Sequence, residues 1–290
     1  MTYQDHGRIN RDSKLYLLQE KMPAVVLAGD RNTIPLYPGY RPGPKALLRY
    51  AGKTSLEYVL DALVNVASIK EICVVGSGRD LRGALQAVEG GVLIPGEGTM
   101  AEGILKGLDH FRDSQSVLFV TADLPLLTHG AVNHFLKKVS STPVKTDRAF
   151  FFSFVPRPFF RGPYRETSKG FIRFKDVSVC FGNLMVLLPG LLKNPKLRIT
   201  LKKMYRTRKS AAKAAMAMDP LLGTVFFFCV YLFHGFTLSR GARLASRRLD
   251  VEVVPIPVEE PEICLDVDEP EDHLLVKRIL EERAGVLGGP

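Results

Sequence analysis

Asp123 stands in the run Thr121-Ala122-Asp123-Leu124-Pro125, directly after an apolar stretch. Asp266 and Asp268 stand two apart in Asp266-Val267-Asp268-Glu269-Pro270-Glu271-Asp272, near the end of the 290-residue chain. In extended backbone, side chains two residues apart point to the same side, so Asp266 and Asp268 present two carboxylates in one direction. A carboxylate at a strand end can hold Mg²⁺ without a full protein cage, because waters and substrate phosphates complete the octahedron. For the C-terminal pair the alternative is an acidic cap matched to the dipole of a following helix. A third segment, Leu27-Ala28-Gly29-Asp30-Arg31, opens a Gly/Pro-rich loop that ends in Gly43-Pro44-Lys45. Gly29 lets backbone approach a phosphate closely, the loop N–H groups can cradle it, and Arg31 and Lys45 can offset triphosphate charge. A surface loop with ordinary cations is the alternative. A Walker A pattern does not occur at this junction.

For these groups to meet, a sheet has to bring three distant loops to one edge. The first half alternates short β-rich runs with helical patterns. Strands are expected at 24–28, 71–76, 92–95, 116–121 and 149–155, and helices at 55–66, 79–88, 99–111 and 129–139. The strands are apolar throughout, as when both faces of a sheet are buried. The predicted fold is α/β, a Rossmann-like, mostly parallel sheet with helices on both faces. In such sheets ligands sit at the carboxyl ends of the strands, where all three loaded segments fall. The pattern breaks at a Pro- and Arg-rich loop, 156–166, and resumes with a β-run at 251–257 and a helix at 270–283. That helix opens with acidic residues and an early Pro.

Composition (46% apolar, 24% charged) fits a globular chain with a large core. The four cysteines are far apart and form no metal-type cluster, which predicts buried thiols in a reducing, cytoplasmic setting. Residues 1–21 read as a solvated extension without a secretory h-region. Residues 191–213 hold nine Lys/Arg and no acid, within a net charge of +10. They form a solvated helical face or a site for phosphate or anionic lipid; no nucleic-acid motif surrounds them. Residues 221–238 are apolar, but the uninterrupted part, 225–233, is too short to span a bilayer and suits a buried or surface-seeking helix.

Taken in order, L-A-G-x-R, a loop ending in K-A-L at Lys45-Ala46-Leu47, the x-D-x-P at Asp123 and the final D-x-D-x-P-E-D resemble the nucleotidyltransferase superfamily that includes the molybdenum cofactor guanylyltransferase. The resemblance runs from 23 to about 280 and takes in the helix after Lys45 and Gly182-Asn183-Leu184-Met185. It is greatest to a branch with an extra helical segment before the final D-x-D. It implies one nucleotidyltransferase domain, 22–290, of nucleotide-diphospho-sugar transferase type, with a helical insertion at about 190–248. It also implies transfer of a nucleoside monophosphate from an NTP to a phosphorylated small-molecule acceptor, with Mg²⁺ as cofactor. By the resemblance, Leu27, Ala28, Gly29, Asp30 and Arg31 meet the phosphates, Lys45 meets the α-phosphate, and Asp123 and Asp268 hold the metal with Asp266 as second choice. Gly98, Thr99 and Glu102 fall where the base and ribose are held. The sequence departs from the family at Asp30 and Ala122, where glycines are usual, and in its Pro-rich loop. Competing readings are a nucleotide-sugar-dependent glycosyltransferase and a non-catalytic nucleotide-binding scaffold. The basic and Phe-rich stretch, 191–238, adds a possible peripheral membrane or lipid-phosphate contact.

Overall fold

The structure, a computed structural model, describes residues 21–86, 88–96, 99–194 and 235–285. The chain runs through β1 (Met22–Leu27), the two-residue strands β2 (Arg49–Tyr50) and β3 (Lys53–Thr54), α1 (Ser55–Val64), β4 (Ile69–Gly76), α2 (Arg79–Leu85), β5 (Val92–Pro95), α3 (Met100–His110), β6 (Val117–Thr121) and α4 (His129–Ser140). It continues through β7 (Ala149–Pro156), β8 (Ile172–Arg173), β9 (Ser178–Leu187), α5 (Leu238–Leu249), β10 (Glu252–Pro257) and α6 (Pro270–Arg283). An eight-stranded sheet has the order β10-β7-β9-β6-β1-β4-β5, with β8 on β9. β1 pairs in parallel with β4 and β6, β4 with β5, and β7 with β10, whereas β9 runs antiparallel to both β6 and β7. The sheet is therefore the mostly parallel one expected, with one reversed strand inserted.

Both faces of the sheet are covered, and the sequence shows why. Val26, Val74 and Val120 join one buried cluster with residues of α1, α2 and α4, while their neighbours Val25, Cys73 and Phe119 join another with Ile104 and Leu108 of α3. Alternate side chains thus enter two cores, which requires the unbroken apolar runs seen in the strands. α3 lies unusually close to the sheet. A Cβ on Gly107 would come within 2.9 Å of Val25 and Phe119, and one on Gly103 within 2.8 Å of Leu27. Gly103 lets the first half of α3 reach the carboxyl end of β1, and Gly107 lets its second half lie against Val25 and Phe119.

Thr54 and Glu57 form a capping box that starts α1, and Thr128 caps α4. α1 and α2 end at Val64 and Leu85, earlier than the helical pattern suggested. The stretch expected as an irregular loop contains two 3₁₀ turns, Arg157–Phe159 and Gly162–Glu166. In the expected insertion, α5 carries four arginines and packs Ala242 inward beside β10. Residues 195–234, which hold most of the basic run, the Phe-rich stretch and Cys229, lie outside the described residues, as do 1–20, Glu97 and Gly98. Cys73, Cys180 and Cys264 are free and buried, as expected. Among the described residues no helix is long and apolar enough to cross a membrane.

Among the described residues β10 is an edge strand. Glu252 N–H donates to Arg148 O and Val258 N–H to Phe154 O, so the even-numbered positions face β7 and Val253, Pro255 and Pro257 face outward. The Val253 N–H donates to Ser246 Oγ of α5 at 2.9 Å, and Lys138 Nζ donates to Pro257 O at 2.8 Å.

Candidate active site

The sheet's carboxyl edge carries a cavity of about 620 Å³, within the range typical of small-molecule sites. Asp123 follows β6 at its floor, only 6% exposed. Its carbonyl accepts the Val267 N–H at 3.2 Å, which pins the 266–268 arm beside it. One oxygen each from Asp123, Asp266 and Asp268 lie within 4.8 Å of one another. The second arm is held from behind. Asn183 of β9 donates from Nδ2 to Asp266 Oδ1 at 3.3 Å and to Ile263 O at 3.4 Å. Lys169 sits 3.1 Å from Asp266, 3.6 Å from Asp268 and 3.1 Å from Asp272. Asp272 in turn accepts the N–H groups of Asp268 and Glu269, completing a capping box with Glu269 at the start of α6. The acidic run is thus both cap and carboxylate pair; the two readings are not exclusive.

Lys45 enters from the other side. Its backbone N–H bonds Asp30 O at 3.0 Å, at the neck of the 32–43 flap that Arg31 and Pro44 close by a β-bridge. Its ammonium pairs with Asp30 at 3.1 Å, with Asp123 at 3.2 Å and with Asp268. Burial alone would lower the Lys45 pKa, but Asp123, Asp268 and Asp30 outweigh it and the group stays firmly protonated. Lys169 behaves the same way: burial opposes its charge and Asp266, Asp272 and Asp268 prevail. Asp266 is pushed up to about 7, first by burial, with Asp123 and Asp268 adding to it and Lys169 opposing. For Asp268 burial again pushes upward, but Lys45 and Lys169 win and hold it at about 2. One of the neighbouring carboxylates therefore takes up a proton near neutrality while the other stays charged.

Three buried side-chain oxygens without a hydrogen-bond partner line this cavity: Asn32 Oδ1, Thr121 Oγ1 and Asp123 Oδ1. Buried polar atoms are rarely left unpaired unless something else is meant to meet them. Of the residues expected from sequence, Leu27, Gly29, Asp30, Arg31, Lys45 and Thr99 line the cavity, and so do all three aspartates. Thr99 also caps α3 by accepting the Glu102 N–H at 3.1 Å. Two expected residues are placed elsewhere. The Ala28 N–H is spent on Val75 O at 2.8 Å, extending the sheet, and the Glu102 carboxylate turns to Lys106 at 2.8 Å. Gly98 lies outside the described residues. Sequence reasoning assigned no role to Lys169, Asn183, Thr121 or Asn32. Asn183 was within reach of it through the Gly182-Asn183 pair.

Residues 24–153 match the family of the MobA-like NTP transferase domain. The fold is similar to a hypothetical transferase from Thermus thermophilus (TM-score 0.67, 25% identity, 87% of this chain and 99% of that one). The segment 24–153 is thus similar to a MobA-like NTP transferase domain, within a fold shared with solved nucleotidyltransferases. A nucleotidyl transferase from Methanothermobacter thermautotroptrophicus is similar at TM-score 0.53 and 16% identity, over 91% of this chain and 99% of that one. CMP:2-keto-3-deoxy-manno-octonic acid synthetase complexed with CTP is similar at TM-score 0.56 and 13% identity, over 91% and 99%. No curated protein matches by sequence. The carboxylates, Lys45 and the glycine loop share one cavity, and the family match takes in β1 and β6, the strands that Gly29 and Asp123 follow.

Proposed function

We propose that this chain is a Mg²⁺-dependent enzyme that transfers a nucleoside monophosphate from an NTP to a phosphorylated small molecule and releases pyrophosphate. The observation that carries the reading is the Asp123 carboxylate: its Oδ1 is buried without a partner, and one of its oxygens is grouped with oxygens of Asp266 and Asp268 in the cavity. An all-oxygen carboxylate set with an orphaned acceptor fits a hard divalent cation. Asp123 and Asp268 would hold it, with Asp266 as a third candidate. When bound, such a cation neutralises phosphate charge and orients the reacting phosphoryl oxygens.

The remaining work falls to the protein's own groups. Lys45 stays protonated beside these carboxylates and lines the cavity, so its ammonium is available to the α-phosphate of an incoming triphosphate. Arg31 and the backbone at Gly29 and Asp30 lie along the same wall, where they would receive the outer phosphates. The attacking acceptor phosphate and the departing pyrophosphate are both anionic, so the residues act by positioning and charge neutralisation, and no covalent nucleophile is needed. Thr99 at the head of α3 and the close approach permitted by Gly103 shape the wall assigned to the base and ribose. The buried free thiols support action in the cytoplasm.

The test is a pyrophosphate-release assay with each of the four NTPs, Mg²⁺ and a panel of phosphorylated acceptors. It is preceded by melting curves with each NTP, since a ligand of the folded state raises the melting temperature by mass action. One NTP should stabilise the protein only when Mg²⁺ is present, and one acceptor should release pyrophosphate. No stabilisation by any NTP, together with no release across the panel, refutes the reading.

A further inference from the structure

Two cations have a claim on the same carboxylates in the cavity. The Lys45 ammonium contacts Asp123 Oδ2 at 3.2 Å and also contacts Asp268 Oδ1, and those two carboxylates belong to the trio whose oxygens cluster within 4.8 Å. Octahedral Mg²⁺ draws its oxygens to about 2.0–2.1 Å. Carboxylates drawn so close to one ion have less negative charge to offer an ammonium bridging the same pair, and two positive charges in one pocket repel. The partnerless Asp123 Oδ1 marks the side that Lys45 does not cover.

The lysine is free to leave without disturbing the fold. Its backbone is fixed, with its N–H on Asp30 O at 3.0 Å and its carbonyl accepting the Leu48 N–H at 3.1 Å, while its side chain borders the cavity. What it needs is another anion within reach, and a triphosphate supplies one.

We infer that Lys45 is an internal competitor for the divalent cation: its ammonium bridges Asp123 and Asp268 until a triphosphate draws it away, so metal and nucleotide enter together and bare metal is refused. The inference rests on the nucleotide-transfer reading and adds a binding order to it. Asp30 is the third anchor, 3.1 Å from the ammonium. An acid at this departure from the family pattern then has a use: it offsets part of the ammonium's charge and steadies it over the two metal carboxylates. By linkage, whatever factor the nucleotide gains from the metal the metal gains from the nucleotide.

Binding of Mn²⁺ to the full chain, read from the loss of its free-ion electron paramagnetic resonance signal, tests this without turnover. Lys45→Met, close in shape but uncharged, should bind Mn²⁺ in the absence of nucleotide at least tenfold more tightly than the wild type. An α,β-methylene NTP analogue of the stabilising base should tighten Mn²⁺ on the wild type by a similar factor and add little to Lys45→Met. Lys45→Gln gives the same comparison if Lys45→Met fails to fold. Equal or weaker Mn²⁺ binding by these variants overturns the competition and leaves the enzymatic reading standing. No retention of Mn²⁺ by the wild type with any of the four analogues overturns both.

Discussion

Asp123→Asn separates the metal site from the fold. The exchange keeps the side chain's shape and removes one charge. Lys45 loses a partner at 3.2 Å, an attraction of about 5 kcal/mol at an effective dielectric near 20. Against this, Asp123 no longer repels Asp266 and Asp268, whose oxygens lie within 4.8 Å; at full charge each repulsion is about 3.5 kcal/mol. Neither acts at full strength. Asp266, pushed up to about 7, carries only part of its charge at neutral pH, and Asp268 has a side chain 47% exposed to screening water, so each term falls to about 2 kcal/mol. Gain and loss nearly cancel, leaving a net cost of about 1 kcal/mol, because carboxylates crowded for function repel one another. Urea unfolding without metal should therefore show little change, while the Mg²⁺-dependent stabilisation by NTP disappears. A loss above about 4 kcal/mol would show that Asp123 serves the fold, and a retained Mg²⁺-dependent shift would show that it serves no metal. Either result refutes the reasoning.

Lys169→Met leaves Asp266 and Asp272 without the cation that sits 3.1 Å from each, so denaturant unfolding should register about 3–5 kcal/mol of lost stability. Gly107→Ala drives a Cβ to 2.8 Å from Phe119 and 2.9 Å from both Val25 methyls. Overpacking of about 1–3 kcal/mol opposes a helix-propensity gain of about 1 kcal/mol, and calorimetry should show a lower melting temperature. His273, whose ring nitrogen shares a hydrogen bond of 3.0 Å with Tyr50, is held below its ordinary pKa first by burial and then by Lys277. Below about pH 6.5 the unfolded chain therefore binds more protons at this site than the folded one. Stability should fall as pH drops through that value, and His273→Gln should flatten the decline between pH 7 and 5.

What could be read from the sequence was what local pattern controls. β1, β4, β5 and β6 were legible because alternate residues enter two cores, which forces apolar side chains at every position. Asp123 and the Asp266/Asp268 pair were legible because a carboxylate directly after a buried strand has a restricted set of uses. The reversal of β9 was not, since strand direction is set by its partners β6 and β7 rather than by its own residues. α5 was covered only by the expected helical insertion at about 190–248 and was not singled out as an element of its own. Lys169 gave no signal at all. It is one cation in a loop rich in them, and only the folded chain shows that it, rather than Arg165 or Arg173, lies against three aspartates.

The outer rim of β10 bears on how copies of this chain can meet. Its outward positions offer no amide to a newcomer: the one at Val253 is engaged by Ser246, and Pro255 and Pro257 have none. An incoming strand would find only carbonyls there, and Lys138 already occupies that of Pro257. Sheet extension through this rim, the route by which exposed edges seed fibrils and strand exchange, is blocked residue by residue. Self-association on this side has to run through side chains, and the arginines of α5 give it a positive charge that discourages like surfaces from approaching.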